Sequence, residues 1–383
     1  MVMINIKKQR GEVALFVVIF ATLLILVVTV SYVRIMLQGQ QQASTNDLSQ
    51  SAYDSAQAGV EDAKRALLRY QSLGGAVDIS KWPSVCNAAT DTLNDISKSG
   101  SDRTVGNKTL NQSYTCVTVT TNTDDVKEKF TNANKSNIIP LKGVDQFDTV
   151  QIEWFSASDF NDPNSNQTSV VSLSNPSLGV PLLGDWSVNR PPVMRAQLIQ
   201  FGDSGFTLSD FDSGSLAAGS NSNTLFLYPT NSTTVGTYNF TDDVRQTATG
   251  SPHQVNCLSN LATATYSCTA KISMPLPKPA TAGIKREAYL RLTTLYNLAM
   301  YRITLYKNGG ADPVKDLVQF NAVEPLIDST GRADNLFRRV QTRVKMYGDF
   351  SYPDGEIVTT GNFCKNFMVT DTQYIGGVPS CTP

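Results

Sequence analysis

Histidine is nearly absent from this 383-residue chain, and that scarcity excludes more chemistry than any other feature. The single one, His253, stands in the loop sequence Gly250-Ser251-Pro252-His253-Gln254, close to Cys257. Any Ser-His-Asp or Cys-His relay would have to run through it, and a loop histidine of this kind reads as solvated surface. Cys-x-x-Cys pairs are lacking, so a zinc site has no ligand set. A glycine-rich phosphate loop and a His-Glu-x-x-His helix are lacking too. The acidic residues Asp203, Asp210 and Asp212, and the pair Asp242-Asp243, do not follow the Asp-x-Asp-x-Asp-Gly order of a calcium loop. An excess of either charge is also missing. With 32 Lys and Arg against 33 Asp and Glu the formal net charge is −1, which gives no global attraction for nucleic acid. The expectation is a non-enzymatic protein with no catalytic residues, no cofactor and no metal.

Proline is missing from Arg34 to Gln71, and charge is missing from Val13 to Val33, where only Thr22, Thr29 and Ser31 interrupt an apolar run. That run is about as long as a helix needs to be to cross a hydrocarbon core of roughly 30 Å. Lys7, Lys8 and Arg10 precede it and only Arg34 follows closely, so the positive-inside bias predicts a cytoplasmic N-terminus and an exported remainder. The run is longer than the h-region of a cleaved secretory signal, and no small-x-small cleavage site follows. Beyond Arg34 the helical pattern persists. Leu48, Ala52, Ala56, Val60, Ala63, Leu67 and Tyr70 recur in steps of three or four and draw one face, while Asp47, Asp54, Asp62, Arg65 and Arg69 fall elsewhere. The stripe lacks the large a and d residues of a coiled-coil stalk. Leu73-Gly74-Gly75 then offers a glycine stop. Span and extension together predict one helix of about 60 residues, some 90 Å long at 1.5 Å per residue.

The stretch Lys7-Lys8-Gln9-Arg10-Gly11-Glu12-Val13-Ala14-Leu15, with Ala56-Gln57-Ala58-Gly59-Val60-Glu61-Asp62-Ala63 further on, resembles the N-terminal region of type IV pilus minor pilins and pseudopilins of the PilX and GspK class. The likeness covers about the first 70 residues and is faint beyond, carried only by Arg338-Arg339-Val340. It implies a prepilin leader over 1–11, cut between Gly11 and Glu12, with the transmembrane part over 12–33 and the amphipathic extension over 34–73. It also implies other pilins as partners through the helix, and the inner membrane before assembly. Shaft pilins carry Glu at the fifth mature position, where this chain has Phe16. A carboxylate there lies toward the bilayer centre and needs a cation to pair with, whereas Glu12 can stay hydrated at the membrane edge. The resemblance therefore implies a subunit that primes or caps a filament. Two other readings stay open: a membrane-anchored surface adhesin outside any filament, and a DNA-contacting competence pilin.

From residue 76 to 383 the composition turns to Ser, Thr, Asn and Gly, and alternation replaces helical periodicity. Strands are expected over Tyr114–Val119, Thr149–Phe155, Val193–Phe201, Thr224–Tyr228, Tyr289–Tyr296, Ala299–Tyr306, Leu317–Val323 and Leu336–Tyr347. No βαβ rhythm is present, so the fold class is α+β, with a long N-terminal helix and an antiparallel β-rich ectodomain divided, if at all, near Pro275–Pro279. All six cysteines lie beyond the apolar run, and their grouping pairs neighbours: Cys86 with Cys116, Cys257 with Cys268, and Cys364 with Cys381. In Leu336–Tyr347 alternation puts Phe337, Arg339, Arg343, Lys345 and Tyr347 on one face, a candidate contact for nucleic acid or another surface ligand. The same face can instead pair with acidic groups of a neighbouring element. Polar loops around Trp154 and Trp186 are a further candidate for surface adhesion. Asn-x-Ser/Thr sites at Asn107, Asn111, Asn134, Asn166, Asn231 and Asn239 follow from the composition alone.

Overall fold

The computed structural model describes residues 10–72, 103–104, 112–131, 136–160, 168, 170, 184, 186–200, 224–231, 237–240, 253–261, 265–275 and 287–347. They open with one uninterrupted helix, α1, Arg10–Ser72, of 63 residues. The strands that follow are β1 (Arg103–Thr104), β2 (Gln112–Thr123), β3 (Asp125–Lys129), β4 (Ser136–Lys142), β5 (Thr149–Ser156), β6 (Val193–Gln200), β7 (Thr224–Thr230), β8 (Thr237–Asn239), β9 (His253–Asn256), β10 (Tyr266–Ser273), β11 (Glu287–Leu295), β12 (Met300–Tyr306), β13 (Leu317–Val318), β14 (Phe320–Ala333) and β15 (Leu336–Arg343). The long N-terminal helix and β-rich remainder agree with the α+β expectation.

The chain forms two compact units. The first comprises residues up to Val119 together with Ile327–Thr342. It holds α1 and, of a sheet of order β1-β2-β14-β15, the strand β1 and those parts of β2, β14 and β15 that fall in these ranges. The buried stripe of α1 is Ala52, Ser55, Ala56, Gly59, Val60, Ala63 and Leu67, with Leu48 half-buried. Small residues dominate it because the helix lies almost backbone to backbone on β14. A Cβ on Gly331 would stand 2.1 Å from the Ala52 carbonyl oxygen and 2.3 Å from the Ala56 nitrogen. One on Gly59 would stand 2.4 Å from Ser329 Oγ. Glycine is required at both crossings for space. Polar edges complete the seat: the Tyr114 hydroxyl donates to Asp62 at 2.9 Å, and Arg338 Nε donates to Ser49 Oγ at 2.8 Å.

The second unit comprises Thr120–Leu326 and the residues from Arg343 onward. Here a sheet of order β13-β12-β5-β10-β8, with β3 also paired to β12, and a sheet of order β4-β11-β6-β7-β9 share one hydrophobic cluster. Val150, Ile152 and Trp154 of β5 and Tyr301, Ile303 and Leu305 of β12 enter it from the first sheet, and Leu290, Leu292, Ala196 and Leu198 from the second. Central β5 is buried along nearly its whole length, as a strand flanked on both sides should be. Its Glu153 is held by Arg302 at 2.5 Å. Most pairings are antiparallel, as expected, but β8 with β10 and β9 with β7 are parallel. Those strands have three and four residues, too short to show a pattern in sequence.

Of the expected disulfides, Cys257–Cys268 is formed, across an antiparallel bridge between the two residues. Cys116 is disulfide-bonded as well. Cys86, Cys364 and Cys381 lie outside the described residues, as do the glycine stop after α1 and all of the expected division at Pro275–Pro279 except Pro275 itself.

Candidate functional site

The first candidate is the N-terminal part of α1. From Leu15 to Leu37 the apolar side chains are exposed, Phe16 at 76% and Phe20 at 71%. The helix is long and apolar enough to cross a membrane, its most apolar stretch having a mean hydropathy of 2.8. The polar interruptions do not spoil it. Thr22 Oγ1 donates to the Ile19 carbonyl at 2.9 Å, Thr29 Oγ1 to that of Leu26 at 2.9 Å, and Ser31 Oγ to that of Val27 at 2.8 Å. Each hydroxyl is satisfied by its own helix, which is what hydrocarbon demands of a buried donor. Gly11 and Glu12 lie in the first turn of α1. On one helix, then, a solvent-exposed apolar length leads directly into a small-residue face seated on a sheet.

The second candidate is the basic stretch from Leu336. β15 ends at Arg343, short of the expected Tyr347, yet Val344 and Met346 still donate to the carbonyls of Pro325 and Val323 at 3.0 and 3.1 Å. The five residues expected on one face belong to different compact units: Phe337 and Arg339 to the first, Arg343, Lys345 and Tyr347 to the second. Phe337 is 56% exposed. The charged members are engaged with carboxylates. Arg339 bonds Asp328, with Nε at 2.7 Å. Arg343 reaches Asp125 at 2.7 Å and Glu324 at 3.1 Å. Lys345 pairs with Glu128, which also accepts from the Tyr347 hydroxyl at 2.7 Å. This is the arrangement of a basic face paired with acidic groups of neighbouring elements.

Electrostatics follow from these contacts. Arg339 holds the Asp328 carboxyl below its ordinary range. Burial pushes Glu324 upward, against the opposing pull of the Lys127 amide and of Arg343. Burial beside Glu128 raises both the Tyr301 and the Tyr347 phenols, so both stay protonated donors.

Sequence reasoning missed a third cluster. Arg190, only 4% exposed, lies over the Trp186 ring at 3.8 Å and donates to the Tyr228 hydroxyl at 2.7 Å. Trp186 stacks on Tyr296 at 4.1 Å. Asn297 Nδ2 ties down the loop by donating to the carbonyls of Ser187 and Arg190, each at 2.8 Å. No periodicity announces a cluster assembled from three separated segments. It also buries Trp186, and Trp154 is fully buried in β5, so neither indole offers an exposed adhesive ring. His253, the only histidine, sits in β9 with its ring near that of Tyr238. No group of His, Cys, Asp and Glu suited to a metal occurs among the described residues. Comparison with protein-family models, with curated proteins and with solved structures finds no match to this chain.

Proposed function

We propose that this chain is a non-enzymatic minor subunit of a type IV pilus or related pseudopilus, anchored by α1 with its N-terminus in the cytoplasm and its β-rich part exported. What supports the reading is the continuity of α1. One helix carries an apolar length with no buried side chain and, without a break, the small-residue face seated on β14. A tether needs only the first part. A filament subunit needs both, because its apolar length must move from lipid into a bundle of neighbouring helices while the rigid extension carries the sheet along. The resemblance of residues 7–15 to a prepilin signal adds a processing step between Gly11 and Glu12.

Phe16 in place of a carboxylate supports an initiating or capping position over a shaft position. A carboxylate at that depth is costly unless paired, so its absence removes a neighbour-neutralising contact. A DNA-contacting role has less support, since Arg339, Arg343 and Lys345 are already engaged with Asp328, Asp125, Glu324 and Glu128.

Mass spectrometry of the mature N-terminus and of sheared filaments tests the reading. The expected results are a terminus at Glu12, blocked by Gly11→Val, and low abundance relative to the shaft subunit. An intact Met1 on chain recovered from filaments removes the processing step. Recovery as the most abundant filament protein removes the minor-subunit role.

A further inference from the structure

Glu128 is a heavily engaged carboxylate of the second unit, and its partners include an amine and a carboxamide. Its side chain is 4% exposed. One oxygen, Oε1, is in ion-pair contact with Lys345 Nζ and accepts from Tyr347 at 2.7 Å. The other, Oε2, accepts from Asn137 Nδ2 at 2.9 Å and from the Tyr301 hydroxyl at 2.6 Å. Asn137 Nδ2 also reaches the Tyr301 oxygen at 3.1 Å. Tyr301 is fully buried against Phe130, ring centroids 4.8 Å apart. An amine, a carboxamide and a buried carboxylate that touches each of them therefore meet at one point, walled by aromatic rings.

From this juxtaposition we propose that Lys345 and Asn137 are a self-modification site, joining in an intramolecular isopeptide bond with Glu128 as the proton carrier. Glu128 takes a proton from the Lys345 ammonium, leaving a neutral amine and a carboxylic acid. The amine attacks Asn137 Cγ, forming the new C–N bond. The acid returns its proton to the departing Nδ2 as the old C–N bond breaks, the carboxylate then takes the second proton from the new C–N nitrogen, and that proton leaves with the ammonia as ammonium. Nothing is oxidised or reduced, and no co-reactant is needed. The geometry suits each transfer, because Glu128 already contacts both the nucleophile and the leaving nitrogen. Tyr301 and Tyr347, kept protonated by burial, hold the carboxylate in place. The reaction has to occur only once in the life of the chain, so a slow step suffices. The product would tie β4 to the segment leaving β15 by a covalent bond that no reductant opens.

Tryptic mapping of the full-length chain, purified in detergent and reduced, decides the matter. The expected result is resistance to cleavage after Lys345 and a branched peptide joining the Asn137 and Lys345 segments, lighter than their sum by one ammonia. Lys345→Arg and Glu128→Gln should each give two separate peptides of full mass. Linear peptides of full mass from the wild-type chain overturn the proposal. So does an ammonia loss that persists in Lys345→Arg, which would place it at another asparagine. Both of these outcomes rest on the wild-type chain and the conservative Lys345→Arg, and they stand whether or not Glu128→Gln folds.

Discussion

Arg343 shows how much a single side chain can hold. It bridges Asp125 and Glu324, both largely buried, and also donates to the Asp125 carbonyl oxygen at 2.6 Å. Truncation to Ala leaves Glu324 without its cation, beside an Asp125 that keeps Lys127 at 2.9 Å. A fully buried pair broken this way costs 3–5 kcal/mol, but the Arg343 side chain is 27% exposed, so the loss should be about 2 kcal/mol by denaturant titration. Acid should restore part of it. Glu324 titrates above its ordinary value, so the folded state binds that proton more tightly than the unfolded chain does. Its contribution therefore improves as pH falls through the folded value toward 4.5. Asp328 works in the opposite sense. Its folded value is depressed by Arg339, so the stability it contributes is complete above 3.8 and disappears as pH falls through the lower folded value. Asp328→Asn should flatten the acid limb of the stability curve, and Glu324→Gln should flatten the milder limb above it. Identical curves for the wild type and both variants would refute the assignment.

At the scale of elements, α1 and β14 approach closely enough that no Cβ fits at Gly331. Gly331→Ala forces a methyl group onto the Ala52 carbonyl and the Ala56 amide, both backbone atoms that cannot turn aside. Overpacking of this kind costs about 1–3 kcal/mol, and the upper end is expected here. Thermal unfolding followed in the near ultraviolet checks it, and an unchanged midpoint would mean that the helix does not sit this close to the strand. In the second unit, the Cys257–Cys268 bridge closes a loop with a sequence separation of 11. Replacing both cysteines by serine should cost about 2–3 kcal/mol through the greater freedom of the unfolded chain. The stripe on α1 was legible from spacing alone, because helical periodicity is a local property. β3 and β4 were not. Asp125–Lys129 is mostly charged and Ser136–Lys142 contains Pro140, so neither advertises a strand until β12 and β11 pair with them.

At the scale of the whole chain, α1 has two separable parts. Its buried face begins near Leu48, well past the exposed apolar length. A chain beginning at Gln41 should therefore be soluble without detergent and keep the unfolding midpoint of the full-length protein, whereas the full-length protein should partition into detergent. Aggregation of the shortened chain with loss of its β-sheet circular dichroism would show that the apolar length also supports the fold. The amino-acid sequence by itself determined the long helix, its exposed apolar length, its small-residue stripe, the β-rich remainder and the Cys257–Cys268 pairing. Each depends on local period, composition or short separation along the chain. Only the tertiary structure decided the order of strands in the sheets, the two parallel pairings, the Trp186–Arg190 stack, and the partners of Arg343 and Lys345. Lys345, Glu128 and Asn137 carry no shared pattern in the sequence, and Lys345 stands far along the chain from the other two. Pairing of β3 with β12 and of β4 with β11 places Glu128 and Asn137, and the bonds of Val344 and Met346 to β14 place Lys345, because the energy of such a contact depends on distance in space.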